Sequence, residues 1–431
     1  MAMKDATNPL AGFLSAGEGA AGLSAVDRIL DAVRKHLGMN VAFASRYVNG
    51  RREFTHIQAD IPVPASPGDS EPQENTACYR ILTGQLPELM HDAAEYPLAA
   101  ELPIVPALPV GAHLNVPLRL RDGSVYGSFC CISQRPDRSL TQRDLATVRA
   151  FADLAIDQIE RDNTRDHELE VARNRIEGVM IGDAITIHYQ PIHALSDGRP
   201  VGVESLARFP LEEGGPRCPS TWFAAAADVG MGIELELRAI RQALRGLPYI
   251  PDGLYVALNA SPETVLSGEL PALLAGAPAG RLVVEVTEHA QIDDYDALNA
   301  ALAAIRPHAR IAIDDVGAGY SGLRHLVDLK PDLLKLDMGL TRKVDTDQAR
   351  HALVQAMVAF AARLGSRIIA EGVETAAEAA TLRQLGVPFA QGWHYSRAMP
   401  AVAVQQFLIG AAAAPEAPAR VMPLPRRAVR R

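Results

Sequence analysis

The chain has 431 residues, 48% hydrophobic and 22% charged. That is too long for one ordinary domain and supplies ample core for two or three. A formal net charge of -9 disfavours generic binding to long nucleic acid or to an anionic membrane surface. No uninterrupted apolar stretch is long enough to span a bilayer, and residues 1–22, Gly/Ala-rich with a single lysine, lack the apolar segment of a signal peptide. A cytoplasmic protein that binds neither DNA nor membrane is expected.

Residues 1–22 read as a flexible N-terminus. From residue 25 to 37, Val26, Ile29, Leu30, Val33 and Leu37 recur at helical spacing. Residues 41–47 alternate like a strand. Residues 60–75, rich in Pro, Gly, Ser and acids, read as a loop, and 78–82 as a short helix. Two apolar runs, 112–120 and 125–132, flank Arg121-Asp-Gly-Ser124, which predicts a hairpin with an Asp-Gly turn. Together these elements make an α+β domain of about 140 residues. The four cysteines, Cys78, Cys130, Cys131 and Cys218, show no Cys-x-x-Cys or histidine-paired metal spacing and read as reduced thiols. Cys130 and Cys131, adjacent in a strand, are expected to point to opposite faces. Cys78 reads as a buried structural thiol.

A long helical pattern runs from residue 141 to about residue 180. Leu145, Val148, Ala152, Ala155 and Ile159 keep a seven-residue repeat, residues 160–168 are polar, and Leu169 and Ile176 resume it. A parallel dimeric coil and a single solvated linker helix both fit this broken pattern.

After Asp183, short β-rich runs alternate with helical stretches: 185–189, 201–204, 254–259, 281–285, 310–314, 333–337, 367–371 and a weaker 389–391. Eight such runs predict an α/β fold, a (β/α)8 TIM-like barrel. Glu204, Asn259, Glu285, Asp314 with Asp315, Lys335, Glu371 and Gln391 are placed at or near the strands' C-terminal ends, which converge on one face in a barrel. The set is mostly oxygen ligands with one lysine, which suits Mg2+ or Mn2+ rather than zinc. His188, His193, His289 and His394 have no ligand spacing and read as structural. Trp393 and Tyr320 read as packing residues, and Leu353, Met357 and Phe360 as core covering the barrel. The Pro-rich segment 415–431, with five arginines, reads as a disordered tail.

The first domain resembles a GAF sensory domain, on Val116-Pro-Leu-Arg-Leu-Arg-Asp-Gly123, Tyr126-Gly-Ser-Phe-Cys130 and the helix from Leu140. The resemblance implies a sensor whose ligand is unknown. Cys78 is followed by Tyr79, where bilin-binding members commonly have histidine.

The second half resembles an EAL domain. The motifs are Tyr189-Gln-Pro191, Glu204-Ser-Leu-Ala-Arg208, Leu258-Asn-Ala-Ser-Pro262, Glu285-Val-Thr-Glu288, Asp314-Asp-Val-Gly-Ala-Gly-Tyr-Ser-Gly-Leu323, Leu334-Lys-Leu-Asp337, Ala370-Glu-Gly-Val-Glu374 and Gln391-Gly-Trp393. The resemblance implies a phosphodiesterase that hydrolyses cyclic di-GMP to linear pGpG, regulated by the GAF domain. It implies two Mg2+ or Mn2+ ions, one held by Glu204, Asn259, Glu285 and Asp314, the other by Asp314 and Asp315, with Glu371 completing the shell or assisting proton transfer. Water between the cations would be the nucleophile, Lys335 would bind or deprotonate it, and Arg208 would clamp a phosphate oxygen. Gln190 and Gln391 would orient substrate or water, Leu206 would face a guanine, and Asp337 would join the substrate contacts. Glu288 and Glu374 would stabilise loops. A homodimer through the EAL domain and linker helix is implied.

The resulting segmentation is 1–22 flexible, 23–160 GAF-like, 161–183 linker helix, 184–410 EAL, and 411–431 tail. Ser205 replaces the name-giving alanine, and Val316, Ala318 and Gly322 stand where the family usually has Phe, Thr and Ser. The changes in the Asp-Asp loop bear on regulation and metal affinity more than on chemistry. The alternative is a non-catalytic cyclic di-GMP receptor acting through protein partners.

Overall fold

A computed structural model describes residues 23–102, 110–182, 184–210, 218–287, 294–317 and 323–413. Glu288, His289, Ala318, Tyr320, Gly322, residues 1–22 and the tail from 414 lie outside the described residues. Contacts divide the chain after Glu168 into two units. Among the described residues no helix is long and apolar enough to cross a membrane.

The first unit is a six-stranded antiparallel sheet in the order β3-β2-β1-β6-β5-β4. The strands are β1 (Val41–Val48), β2 (Arg51–Ala59), β3 (Ser70–Pro72), β4 (Leu89–Met90), β5 (His113–Arg119) and β6 (Val125–Ile132). The expected hairpin is β5–β6, and Gly123 in its turn has φ +86°. The helix Ala25–Leu37 starts at a capping box between Ser24 and Asp27 and stops at Gly38 in the left-handed conformation. Its stripe Val26, Ile29, Leu30 and Val33 packs on one face of the sheet, with Cys131 and with Leu145, Val148 and Ala152 of the helix Gln142–Met180. Each such side chain contributes roughly 1.5–3 kcal/mol by leaving water. Cys130 points to the other face, among Val41, Phe43, Phe54 and Cys78. The predicted split of the two neighbouring cysteines is therefore observed, and Cys78 sits in a helix, Ala77–Leu82, as expected. Beyond Glu168 the same helix belongs to the second unit, where Ile176 and Val179 are buried with Trp222 and Leu235.

In the second unit eight strands form a closed ring: β7 (Thr186–Ala194), β8 (Pro200–Arg208), β9 (Tyr255–Ala260), β10 (Leu282–Thr287), β11 (Arg310–Val316), β12 (Leu333–Leu336), β13 (Arg367–Ala370) and β14 (Phe389–Ala390). A short β15 (Met399–Pro400) adds to β7 from outside the ring. Strands β8 to β14 are parallel, but β7 is antiparallel to both β8 and β14. The uniform (β/α)8 expectation is corrected at this one strand. Residues 195–199 are too few for a crossover helix, so β7 and β8 form a hairpin, with Gly198 at φ +75°.

Two further expectations are corrected. Leu353 is exposed, because the helix Gln348–Leu364 turns Val354, Met357 and Ala361 inward at helical spacing and leaves Leu353 off that stripe. Trp393 is 61% exposed, so it is not a packing residue, and the Arg397 guanidinium lies 4.4 Å from its ring centre. His193 is buried and stacked on Tyr395, as a structural histidine should be.

Candidate active site

Side chains two positions apart on a strand share a face. Inside the barrel, Ile192, Ala257, Val283, Ala312, Leu333 and Ile369 form one apolar layer. Two residues on in the parallel strands come Asn259, Glu285, Asp314, Lys335 and Glu371. On the reversed strand β7 the corresponding polar residue is two positions earlier, Gln190. Alternation thus stacks a polar layer directly on the apolar one. Register confirms the level: Glu285 lies opposite Asn259, and Gln190 opposite Glu204.

Glu204 departs from the strand-end expectation. It sits at the centre of β8, four residues short of its end, because β8 continues past the ring as the arm of the β7–β8 hairpin. Its height in the barrel, rather than its distance from the strand end, puts it in the site.

Lys335 Nζ, 1% exposed, lies 2.8 Å from Glu285 Oε2, 2.8 Å from Glu371 Oε1, 3.1 Å from Asp314 Oδ1 and 3.4 Å from Glu204 Oε1. Burial alone would strip its proton, but the four carboxylates more than offset this and raise its pKa well above the ordinary lysine value. In the metal-free chain these carboxylates hold Lys335 in its charged form. One ammonium cannot neutralise four carboxylates. Glu285, fully buried, is pushed well above the carboxylate range by desolvation. Glu371 is pushed up to about 8, again chiefly by burial. Burial also raises Glu204, but Lys335, then hydrogen bonds from Gln391 and Asn259, outweigh it and hold Glu204 below its ordinary value.

Gln391 Nε2 donates to Glu204 Oε2 at 2.6 Å and to Gln190 Oε1 at 3.1 Å, while Gln190 Nε2 donates to Ser396 O. Asn259 Nδ2 donates to Glu204 Oε1 at 3.1 Å, leaving the amide oxygen for a cation. Ser205 donates to Ala257 O at 2.7 Å, so the hydroxyl of this substituted position is satisfied inside the sheet.

The pairing of β11 with β12 carries one extra residue between Ile313 and Val316. Asp315 takes a left-handed φ of +56° there. This bulge re-aims a side chain that alternation would send to the opposite face. As a result two carboxylate groups share Asp314: Glu204, Glu285 and Asp314, and Asp314, Asp315 and Glu371. The oxygens within each group lie within 4.8 Å of one another. Glu285 Oε1 is buried with no hydrogen-bond partner. A buried acceptor with nothing to accept from, inside an all-oxygen set, fits a hard divalent cation.

Beside this layer Leu206, Arg208 and Asn259 line one cavity of about 300 Å³, with Phe223, Glu236 and Ser261. Glu236 accepts from Ser261 N at 2.8 Å. The sequence reading missed Glu236, because an acid on an amphipathic helix carries no signal of its own. Asp337 caps the helix Met338–Thr341, its Oδ1 accepting from Gly339 N at 2.7 Å. Glu374 braces the loop after β13 by pairing with Arg342 at 2.5 Å.

Residues 173–398, just over half of the chain, match the family model of the EAL domain. The chain belongs to the EAL domain family. Residues 23–159 match the GAF domain model. PdeB of Escherichia coli strain K12, named a probable cyclic di-GMP phosphodiesterase, is 28% identical over 244 residues, covering 54% of this chain and 46% of that protein. NbdA of Pseudomonas aeruginosa, named a cyclic di-GMP phosphodiesterase, is 32% identical over 272 residues, covering 61% of this chain and 33% of that protein. The match thus spans less than half the length of either relative. The EAL enzyme Bd1971, solved with cAMP and cyclic di-GMP bound, matches 86% of this chain and 93% of its own at 18% identity, with a TM-score of 0.53. That is a likeness of fold. The polar layer of the barrel, from Gln190 to Gln391, lies within the residues that match the EAL domain model.

Proposed function

We propose that this EAL domain hydrolyses cyclic di-GMP to linear pGpG at a site for two Mg2+ or Mn2+ ions, and that the GAF domain sets its output. The observation that carries the reading is Asp314, shared by two carboxylate groups on either side of it. Glu204, Asn259, Glu285 and Asp314 would hold one cation, and Asp314, Asp315 and Glu371 the other. Bound there, the pair would polarise the phosphate and make a water nucleophilic near neutral pH.

The chain's own residues account for the remaining needs. Hydrolysis adds water across the P–O3′ bond, so one proton leaves the water and one reaches the departing oxygen. Glu371 would either complete the shell of the second cation in its ionised form or, left off the cation, assist that exchange. Lys335 supplies fixed positive charge as the phosphorane gathers negative charge. Arg208, which lines the cavity, would hold a phosphate oxygen, and Leu206 with Phe223 would offer an apolar wall to a guanine. Gln391 and Gln190 hold Glu204 in place and orient whatever enters between them. A substrate contact by Asp337 is part of the same reading. The domain limits 23–160, 161–183 and 184–410, a cytoplasmic location, and a homodimer through the EAL domain and linker helix complete the proposal.

The test is turnover of cyclic di-GMP by the purified chain in Mg2+ and in Mn2+, with the product identified. Formation of pGpG, abolished in Glu204→Ala and Lys335→Ala, is expected. Tight binding of cyclic di-GMP in Ca2+ with no cleavage in either metal would overturn the reading in favour of a receptor.

A further inference from the structure

The first unit contains a cluster that the barrel chemistry does not use. Cys78, on the helix Ala77–Leu82, His113, the first residue of β5, and Cys130, on β6, each offer one ligand atom, all within 4.8 Å of one another. All three are almost wholly buried, at 2%, 2% and 0% exposure. The two sulfurs lie 3.1 Å apart. We propose that Cys78, His113 and Cys130 form a binding site for a soft first-row cation, with Zn2+ as its type.

Sheet geometry explains the convergence. Asn115 is the register partner of Cys130, and His113 that of Ile132, so His113 and Cys130 share a face as a diagonal pair. The helix lays Cys78 across that face. The ring nitrogens of His113 have no well-formed hydrogen bond, and the imidazole lies close enough to the Cys78 thiol to favour its thiolate. A buried imidazole normally finds a partner for both nitrogens, and one left bare between two sulfurs calls for a ligand. Two thiols and an imidazole are the donors that favour zinc or monovalent copper over magnesium or calcium.

Charge balance also fits. Two thiolates and one dication sum to zero, which a buried site tolerates. The one buried ionic side chain close by, Arg52, is already paired with Glu71, stacks 4.1 Å from the Phe54 ring centre and places Nη1 3.5 Å from Cys78 Sγ. That guanidinium favours a thiolate at Cys78 without adding a net charge. Three protein ligands leave a tetrahedral ion one open position. An apolar cavity of about 60 Å³, lined by Cys78 and His113 together with Phe43, Phe54 and Met90, gives a fourth donor somewhere to sit. The GAF unit would then sense a small molecule through its metal.

The full chain, metal-stripped and fully reduced under anaerobic conditions, is titrated with Co2+. A thiolate-to-cobalt charge-transfer band in the near ultraviolet is expected, saturating at one equivalent and bleached by Zn2+. The barrel site has no sulfur donor and cannot produce this band, so the result stands whatever the barrel catalyses. The band should vanish in Cys78→Ser and Cys130→Ser, weaken in His113→Gln and persist in Cys218→Ser, whose thiol is exposed on the second unit. Bound Zn2+ should also shield Cys78 and Cys130 from alkylation in unfolding-free conditions. No sulfur-to-cobalt band in the reduced wild-type chain, or a band unchanged in all three ligand variants, would overturn the proposal.

Discussion

Asp315 follows Asp314 in the chain, yet the two carboxylates meet on the same side of β11, because a bulge inserts one residue between Ile313 and Val316. Regular alternation would have sent Asp315 to the opposite face. The left-handed φ of +56° at Asp315 is the conformation that Asp and Asn adopt with least cost among side-chain-bearing residues. Asp315→Asn should therefore keep the fold and melting temperature but weaken the second cation, lowering Mn2+-supported turnover by about 100-fold, the scale of losing one preorganised electrostatic group. Asp315→Val, β-branched and forced to the same φ, should also lower the melting temperature. Equal melting temperatures for the two variants would show that the bulge is not strained.

Lys335 Nζ pairs with four carboxylates, those of Glu204, Glu285 and Asp314, which are buried, and of Glu371, which is partly exposed. Lys335→Met should destabilise the metal-free protein by about 3–5 kcal/mol, the usual cost of leaving buried charge without its partner. Added Mn2+ should recover much of that loss, since it brings positive charge to the same oxygens. Chemical denaturation with and without Mn2+ measures both effects.

Glu371 titrates near pH 8 in the folded chain instead of at its ordinary 4.5, chiefly through burial. A carboxyl raised in this way favours folding fully at low pH, and that contribution fades as pH climbs from about 4.5 through 8. Metal-free protein should therefore lose melting temperature across this window, and Glu371→Gln should flatten the loss. Cation binding requires the ionised form, so Mn2+ affinity should rise over the same range, with proton release measurable by calorimetry in buffers of different ionisation heat. A wild-type slope identical to that of Glu371→Gln would refute the assignment.

Cys218 is exposed, and hydrogen bonds from Ser220, then Thr221, pull its thiol down to about 7. Its alkylation rate should rise through pH 7, a unit or more below an ordinary thiol. Cys131, pushed up to about 12 by burial, should stay unreactive in the folded chain. Peptide mapping after brief iodoacetamide labelling at pH 6, 7 and 8 gives both rates.

Much of the barrel was legible in the chain. Each strand announced itself as a short β-rich run, and Asn259, Glu285, Asp314, Lys335 and Glu371 sit one alternation beyond an apolar residue that could be read as core. The direction of β7 was not legible as a sum of runs, although the five residues before Pro200 are too short for a crossover. Leu353 and Trp393 were misread because a side chain's face on a helix or loop depends on what the element packs against.

Local sequence by itself determined the chemistry available here: the types of donor, their order, and the periodicities that build strands and helices. Those depend on neighbours one to four residues apart. Only the tertiary structure decided which donors meet. A register shift of one residue joins Asp314 to Asp315, and a closed ring brings Gln391 to Glu204 across 187 residues. Sheet pairing sets His113 beside Cys130, and a helix packed on that face adds Cys78, although their spacing in the chain follows no ligand pattern. Metal coordination and ion pairing act over a few ångströms of space, and chain separation gives no measure of that distance until the fold closes.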